Sequence, residues 1–343
     1  MTSATPLDAA EAAALFAPLL PYGHVLLAVS GGADSTALLW LAARWRRQGA
    51  DCRLSVATID HGLRPEAAGE CAAVAALAAR LDLDCSILKR EGPAWRTRLQ
   101  EQARAARYGL LAEAARAAAA GAIATAHTLD DQAETVLMRL AHGSSVEGLA
   151  AMRPVVALEG GLALLRPLLT VPKSRLVATL RAEGLDWIED PSNADPRFER
   201  VRLRRAMAGL AEIGLSAPVL AALARRAGRA GEALEAQAQA LFEALHRREG
   251  ENLTLERETF LAAPIELRLR VLAKALAAVV PATGGRYPLR LERIEALVEA
   301  LVEKNAPLRR TLGGAVVNLP ASGPLVLARE GPRQRGLGPM QKA

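Results

Sequence analysis

The stretch from Val25 to Ser35, VLLAVSGGADS, constrains the fold of this chain more than any other. Residues 24–29 have the length and aliphatic content of a buried strand, and apolar residues return at helical spacing over residues 36–45. Residues 30–35 are therefore predicted to form the turn between a strand and a helix. Backbone N–H groups at a helix N-terminus lack intrahelical acceptors and lie at the positive end of the helix dipole, so this turn suits a phosphate.

The residue types within the turn favour the same interpretation. Gly31 and Gly32 lack the Cβ that would keep a ligand at a distance, while Ser30 and Ser35 add hydroxyl donors. Asp34 is predicted either to cap the helix or to help hold a cation that accompanies the phosphates. A plain strand-to-helix turn with a capping residue remains the alternative. The sequence contains neither the pattern G-x-x-x-x-G-K-S/T nor G-x-G-x-x-G after a strand, so neither of those phosphate motifs accounts for the turn.

Strands and helices alternate through the rest of the N-terminal half. Further strands are predicted at 53–60, 85–89 and 122–126, and the helices between and after them at about 65–81, 96–119 and from 129 onward. This βαβ order predicts an α/β fold with a parallel sheet, helices on both of its faces, and ligands at the carboxyl ends of the strands.

Composition narrows the class of protein. A chain of 343 residues with 51% hydrophobic and 23% charged residues is expected to be globular and to form two or three domains. The net charge of +6 is compatible with a polyanionic partner and equally with a basic solvated surface. Three cysteines without a C-x-x-C pair disfavour structural zinc, an Fe–S cluster and a disulfide framework. The N-terminus has neither a basic leader nor a long apolar stretch, so a cytoplasmic location away from membranes is expected.

Acidic residues follow two of the predicted strands. Asp60 ends the second strand, where a carboxylate can coordinate magnesium or accept a proton, although an Asx-turn or cap would also explain it. The fourth strand leads into TAHTLDDQAET, in which Asp130 or Asp131 is predicted to cap the next helix. His127, Asp131 and Glu134 recur at spacings that can share one side. Capping and helix-dipole effects would explain these acids without any chemistry.

Two groups of arginines are candidates for binding phosphates. Arg104 and Arg107 share a face of the long predicted helix, where a solvated stripe is the alternative. Arg200 and Arg202 belong to a dense arginine set that suits an RNA backbone, although some of its members can instead pair with nearby acidic residues.

Seven ordered blocks give the sequence a specific resemblance. They are SGGADS, IDHGLR, EQARAARY, TAHTLDDQAET, HGSSVEGL, RPLL and WIEDPSNADPRFERVRLRR. Over residues 22–210 this series resembles the N-terminal domain of the tRNA(Ile)-lysidine synthetase family, which belongs to the PP-loop ATP pyrophosphatases. The chain departs from the usual pattern at His142 and Ser145, which stand in place of an Arg and a Gly, and at Val201, which stands in place of an Asn. These departures bear on contacts with the cytidine-bearing loop or lysine and leave the nucleotide turn unchanged.

The resemblance implies a Rossmann-like fold and a two-step ligation. ATP with Mg²⁺ would adenylate the wobble cytidine of a tRNA(Ile) with a CAU anticodon, and free lysine would then displace AMP from C2 to give lysidine. The turn residues Ser30, Gly31, Gly32, Ala33, Asp34 and Ser35 would hold the nucleotide. Asp60 and Asp131 would share the base and magnesium roles, with Asp34 and Asp60 as metal ligands. Substrates would be positioned by Arg104, Arg107, His127, Glu134, Arg200 and Arg202.

The predicted domain division falls between residues 212 and 213. Residues 1–212 would form the catalytic PP-loop domain, and residues 213–343 a mainly α-helical tRNA-binding domain with helices at 215–228, 232–249, 264–280 and 289–304 and a β-hairpin at 309–329. Two other functions remain open. One is a PP-loop tRNA thiolase, which the lack of paired cysteines disfavours, and the other is a non-enzymic basic RNA-binding protein. Oligomeric state is not predicted, and a homodimer is left open.

Overall fold

The computed structural model describes residues 4–60, 66–89, 99–189, 197, 199–280, 291–303 and 307–331. The chain divides into two compact units, Met1–Arg226 and Ala227–Ala343. The division between the units lies inside one long helix, whereas the domain boundary at 212/213 stays a prediction.

The first unit contains a six-stranded sheet and the helices that cover it. In chain order its elements are α1 (Ala9–Phe16), β1 (His24–Ala28), α2 (Ala33–Arg47), β2 (Arg53–Asp60), α3 (Ala67–Arg80), β3 (Cys85–Lys89), α4 (Leu99–Ala117), β4 (Ala122–Ala124), α5 (Leu129–Ala141), α6 (Val146–Leu149), β5 (Val155–Ala157), β6 (Ala163–Leu165), α7 (Lys173–Ala182), α8 (Glu199–Glu212) and the start of α9 (Ala217–Leu245). The predicted alternation of strands and helices is confirmed.

The strand order of this sheet is β3-β2-β1-β4-β6-β5. All neighbouring strands are parallel except β5, which pairs antiparallel with β6 at the edge. Strand β1 lies at the centre, with β2 on one side and β4 on the other. The strand order reverses between β1 and β4, and the crevice beyond their carboxyl ends is where open sheets of this kind bind ligands.

Both faces of the sheet are buried under helices. Val25 and Leu27 of β1 belong to one apolar core together with α2 and α7, and the intervening Leu26 packs with Leu111 of α4 in another. A central parallel strand that is buried on both faces reads as a continuous apolar run, which is why residues 24–29 show no polar alternation. The predicted arrangement of helices on both faces is confirmed.

The second unit is helical and also contains an antiparallel sheet. Besides the end of α9 its elements are β7 (His246–Glu249), β8 (Asn252–Leu255), α10 (Arg257–Ala262), α11 (Ile265–Val279), α12 (Leu291–Glu303), β9 (Leu308–Leu312), β10 (Ala315–Leu319) and β11 (Leu325–Arg329). The sheet has the order β7-β8-β11-β10-β9. The predicted hairpin is present as β9 and β10, and β11, β8 and β7 extend it to five strands.

Helix α9 corrects one prediction. The separate helices expected at 215–228 and 232–249 form one helix, Ala217–Leu245, and residues 246–249 are a strand instead. Gly228 and Gly231 lie inside this helix, at a cost of about 1 kcal/mol each relative to alanine. Burial of apolar residues along its length, including Leu220 and Ala238, outweighs that cost.

Within the described residues, no single helix is both long and apolar enough to cross a membrane. Helices α8 and α9 meet the length and composition criteria only as a pair, and they are bent by 99° at their junction.

Candidate nucleotide site

The turn after β1 requires glycine at position 31. Gly31 has a φ of +86°, in the left-handed region that favours glycine. A Cβ added there would lie 2.5 Å from Cδ1 of Ile188, whose backbone N–H donates to the Gly31 carbonyl at 2.9 Å. The segment around Ile188 therefore packs directly against the turn. Nothing in the local sequence indicated this contact, because 157 positions separate the two residues.

The hydroxyl groups of the turn hold its own backbone. Ser35 Oγ donates to the Gly32 carbonyl at 3.0 Å and accepts from the Ser30 N–H at 3.2 Å. Thr36 Oγ1 donates to the Gly31 carbonyl at 3.0 Å. Ser35 is buried, whereas Ser30 is exposed. Of the two serines predicted to bind phosphate, Ser35 shapes the turn and Ser30 faces solvent. The phosphate-binding role of both stays a prediction.

Asp34 does not cap α2, so that alternative was wrong. Gly32 is the N-cap residue, in an extended conformation and without a side-chain cap, which places Asp34 inside the first turn of the helix. Asp34 Oδ2 accepts a hydrogen bond from Lys173 Nζ at 3.1 Å, while its Oδ1 is buried and has no hydrogen-bond partner among the described residues. Burial raises the pKa of Asp34, Lys173 opposes that rise, and the nearby Asp131 and Asp130 add to it.

Helix α5 is capped by Thr128, so the prediction that Asp130 or Asp131 caps it was also wrong. Thr128 is extended, its hydroxyl accepts from the Asp131 N–H, and Asp131 Oδ2 accepts from the Thr128 N–H at 2.8 Å. This reciprocal pair is a capping box, in which the acid three residues into the helix returns the hydrogen bond. Asp130 instead accepts through Oδ2 from the backbone N–H of Lys173 at 2.8 Å.

Glu134 forms a buried ion pair one turn further along α5. Its side chain is 2% exposed, and its Oε1 accepts from Arg204 Nε of α8 at 2.7 Å. Its Oε2 is buried and finds no hydrogen-bond partner within the part of the chain that the structure describes. Burial raises the pKa of Glu134, the Arg204 guanidinium opposes that rise, Asp131 adds to it, and Arg200 opposes it.

These groups form one charged cluster at the crevice between β1 and β4. We call it the acidic cluster, and its members are Asp34, Asp130, Asp131 and Glu134. Lys173 and Arg204 supply its opposing charges. The structure therefore brings three of the predicted site residues, Asp34, Asp131 and Glu134, into one interacting group beside the glycine turn.

For the other predicted residues the structure shows separate local environments, or leaves the side chain outside the described part. Asp60 ends β2 at the same edge of the sheet and is partly buried. His127 Nδ1 lies 2.9 Å from Thr125 Oγ1. The guanidinium of Arg107 lies 5.5 Å from the centre of the Tyr108 ring. Arg202 donates to the Arg197 carbonyl at 3.1 Å. The side chain of Arg104 lies outside the described residues.

Comparison with known proteins identifies the family of this chain. A family model described as ATP_bind_3, PP-loop domain, matches residues 6–210. The chain is 52% identical over 321 residues to the tRNA(Ile)-lysidine synthase of Methylobacterium nodulans, covering 92% of each chain. It is 51% identical over 346 residues to the one from Methylobacterium sp. strain 4-46, covering 97% of this chain and 98% of the relative. The chain belongs to the tRNA(Ile)-lysidine synthase family.

Family membership confirms the resemblance drawn from the seven blocks and the PP-loop fold. The relative from Bradyrhizobium sp. strain BTAi1 is 45% identical, with 96% of each chain covered. Among solved structures, the U34-tRNA thiolase NcsA from Methanococcus maripaludis has a TM-score of 0.54 at 17% identity, covering 63% of this chain and 78% of its own. That likeness shows a shared fold only.

The acidic cluster fits magnesium that arrives with a nucleotide better than a resident metal. Among the described residues, no group of three or more His, Cys, Asp or Glu side chains is arranged to hold a metal ion. Mg²⁺ usually binds through one or two carboxylates, water and substrate phosphates, and so needs no such cage. The unpartnered Oδ1 of Asp34, beside the glycine turn, is a carboxylate oxygen of the required kind.

Sequence reasoning missed two residues, Lys173 and Gln132, whose contacts join separate segments of this unit. Lys173 contacts both Asp34 and Asp130. The Gln132 side-chain amide clamps Met152, accepting from its N–H and donating to its carbonyl, both at 2.8 Å. Only five of the 43 basic residues, counting lysine and arginine, are lysines. The rarity of lysine in this chain could therefore have drawn attention to Lys173, directly after Pro172. Gln132 lies in the block TAHTLDDQAET, in which only the acidic residues and His127 were predicted to belong to the site.

Proposed function

We propose that this protein ligates lysine to C2 of the wobble cytidine of a tRNA(Ile) with a CAU anticodon, consuming ATP and giving lysidine, AMP and pyrophosphate. The observation that carries the proposal is 52% identity over 92% of both chains to a protein named for this product. The glycine turn at the crevice between β1 and β4 supports it, because a triphosphate fits there beside carboxylates.

In the first step, O2 of the cytidine attacks the α-phosphorus of ATP. A phosphorus–oxygen bond forms to O2, and the bond from the α-phosphorus to the leaving pyrophosphate breaks. The N–H groups at the start of α2 would stabilise the negative charge that develops on pyrophosphate. Asp34 and Asp60 would hold the magnesium ion that accompanies ATP, and such an ion, when bound, neutralises part of that charge.

In the second step, the ε-amine of free lysine attacks C2 and AMP leaves. An ε-ammonium has a reference pKa of about 10.4, so it must lose a proton before it attacks. We assign proton acceptance to Asp131, which lies in the acidic cluster and uses Oδ2 for its cap. Glu134 would orient the lysine cation, because its Oε2 is a buried acceptor without a hydrogen-bond partner. Asp60 is then left to magnesium.

Arginines would bind the tRNA by its phosphates. Arg200 and Arg202 lie on α8, the helix that also supplies Arg204 to Glu134, so RNA bound there would adjoin the acidic cluster. Arg104 and Arg107 of α4 and the basic second unit would add further phosphate contacts, and His127 would help to position substrate. The tRNA and lysine substrates support a cytoplasmic location.

The alternative of tRNA thiolation has no observation in its favour beyond the shared fold. The similar thiolase carries a 4Fe-4S cluster, whereas this chain has three cysteines and no C-x-x-C pair. The alternative of a non-enzymic RNA-binding protein is disfavoured by family membership over almost the whole chain.

The test is a labelling reaction. Purified protein, ATP, Mg²⁺ and a tRNA(Ile) transcript with the CAU anticodon are incubated with radiolabelled lysine. We expect label in the tRNA and pyrophosphate release that depends on that tRNA. A transcript with uridine at the wobble position is the matched control, because it lacks the cytidine. Pyrophosphate release without lysine incorporation, or incorporation into the control transcript, would contradict the proposal.

A further inference from the structure

Lys173 is tied to the starts of two helices at once. Its backbone N–H donates to Asp130 Oδ2 at 2.8 Å, and its ammonium donates to Asp34 Oδ2 at 3.1 Å. Asp34 lies in the first turn of α2 and Asp130 in the first turn of α5. One residue of α7 therefore bridges the glycine turn and the helix that carries the rest of the acidic cluster.

The backbone of Lys173 is held independently of its side chain. Helix α7 begins after Pro172 without a side-chain cap of its own, and Asp130 satisfies its first N–H group. Two residues further on, Arg175 makes a bidentate ion pair with Glu11, both contacts at 2.8 Å, and donates to the carbonyl of Thr5. Removing the ammonium group would leave these backbone and helix contacts in place.

The ammonium itself can move. The Lys173 side chain is 44% exposed and that of Asp34 is 24% exposed, so the pair is a partly solvated contact of a flexible four-carbon stem. A lysine ammonium carries three donors that reorient freely, unlike the fixed fork of an arginine. A triphosphate in the turn would present several negative oxygens close to the ammonium. In the nucleotide-free protein the ammonium pairs with one carboxylate, that of Asp34.

The charge balance of the cluster also needs this cation. Burial raises the pKa of Asp34, Asp131 and Asp130 lie close enough to add to that rise, and the Lys173 ammonium opposes it. A bound triphosphate would add further negative charge beside them. A cationic side chain on the phosphate side would offset part of this negative charge, in addition to the magnesium ion that accompanies ATP.

We propose that Lys173 is a positioning residue for the triphosphate, pairing with Asp34 in the nucleotide-free protein and turning to the β- and γ-phosphate oxygens when ATP occupies the glycine turn. This inference rests on the proposed function. The exchange frees Asp34 Oδ2 to face the magnesium ion that comes with ATP, and it holds the pyrophosphate end of the nucleotide against the turn.

The experiment compares the binding of ATP, pyrophosphate and AMP by calorimetry, each with Mg²⁺ present. K173M keeps the apolar stem and removes the charge. We expect it to weaken ATP and pyrophosphate binding about 10- to 100-fold, the effect of losing one charge-assisted contact, and to change AMP binding by less than about twofold. K173R should recover most of the lost affinity. R181M, which removes an exposed charge at the other end of α7, is the matched control and should bind all three ligands like the wild type.

A second measurement follows ligand binding in the wild-type protein. The chain has only five lysines, so ¹³C-dimethyl labelling of the wild-type protein gives few NMR signals, and the K173R spectrum identifies that of Lys173. This signal should shift on addition of ATP or pyrophosphate and stay in place with AMP.

Two results would overturn the inference while leaving the proposed function intact. One is a K173M protein that binds ATP and pyrophosphate like the wild type, and the other is an equal loss of AMP and ATP binding. If wild-type protein incorporates no lysine into tRNA, the proposed function fails instead, so the two failures are distinguishable.

Discussion

Arg204 of α8 donates from Nε to Oε1 of Glu134 at 2.7 Å, and the carboxylate it reaches is 2% exposed. The pair joins α8 to the helix that begins at the acidic cluster. Because burial raises the pKa of Glu134 and Arg204 is the main cation opposing that rise, the charge state of this carboxylate depends on a residue 70 positions away.

Replacing this arginine should make stability depend on pH. We expect R204M to lower the free energy of unfolding by about 1–3 kcal/mol near neutral pH, less than for a fully buried pair because Arg204 is half-exposed. With the arginine gone, the folded-state pKa of Glu134 rises further above its unfolded value. The difference in free energy of unfolding between R204M and wild type therefore grows as pH increases from the unfolded pKa to the folded pKa, and it shrinks in acid. Urea unfolding of both proteins at several pH values measures it.

The double variant R204M/E134Q is the control for that experiment. It removes the charge that R204M leaves uncompensated, so the pH dependence specific to R204M should disappear. A deficit in R204M that is the same at every pH would mean that the lost contact is packing and not charge.

Local parts of this site could be predicted from the sequence. The strand, the glycine turn and the start of α2 follow from residues that are neighbours in the chain, and β2 was predicted with its observed bounds, Arg53–Asp60. Errors of two or three positions arose at the caps. The N-cap residue is Gly32 in α2 and Thr128 in α5. Aspartate is also a common N-cap residue, so Asp34 and Asp131 looked equally suitable in the sequence.

The rest of the site depends on contacts that sequence spacing does not contain. Lys173 meets Asp34 across 139 positions and Arg204 meets Glu134 across 70. The first pair joins α7 to α2 and the second joins α8 to α5, so both depend on how these helices pack in the folded unit. The order of strands in the sheet determines which helices are neighbours and so which carboxylates pair with which cations. Helical periodicity within one element carries no information about that order.

Two adjacent glycines should respond differently to alanine. G31A imposes a positive φ on a residue with a Cβ and drives that atom into Ile188, so we expect a loss of about 1–3 kcal/mol in the free energy of unfolding. G32A has ordinary φ, and its Cβ would meet nothing closer than 3.9 Å, so its loss should stay below about 1 kcal/mol, the cost of alanine in place of glycine at an N-cap. Thermal and urea unfolding test the pair. Equal losses in both variants would contradict the assignment of strain to Gly31.

The ion pair between Glu11 and Arg175 should stabilise the protein only above acid pH. Its hydrogen bonds lower the pKa of Glu11 from 4.5 to about 2. A carboxyl group whose folded-state pKa is depressed contributes stability above its unfolded pKa and loses it as pH falls through the folded value. We therefore expect E11Q to melt below wild type at neutral pH and the difference to vanish as pH falls from 4.5 toward 2. A melting difference that is constant with pH would show that the pair acts by packing alone.

The two candidate proton acceptors can be separated by their effects on the two steps. In D131N the amide oxygen can still accept from the Thr128 N–H, so the capping box and the fold should persist. If Asp131 takes the proton from lysine, D131N should retain tRNA-dependent pyrophosphate release and lose lysine transfer by about 10²- to 10⁴-fold, the usual contribution of a general base. D60N should instead slow pyrophosphate release, because Asp60 is assigned to the first step. Single-turnover assays that follow pyrophosphate and labelled lysine in the same reaction distinguish these outcomes, and the reverse pattern would exchange the two roles.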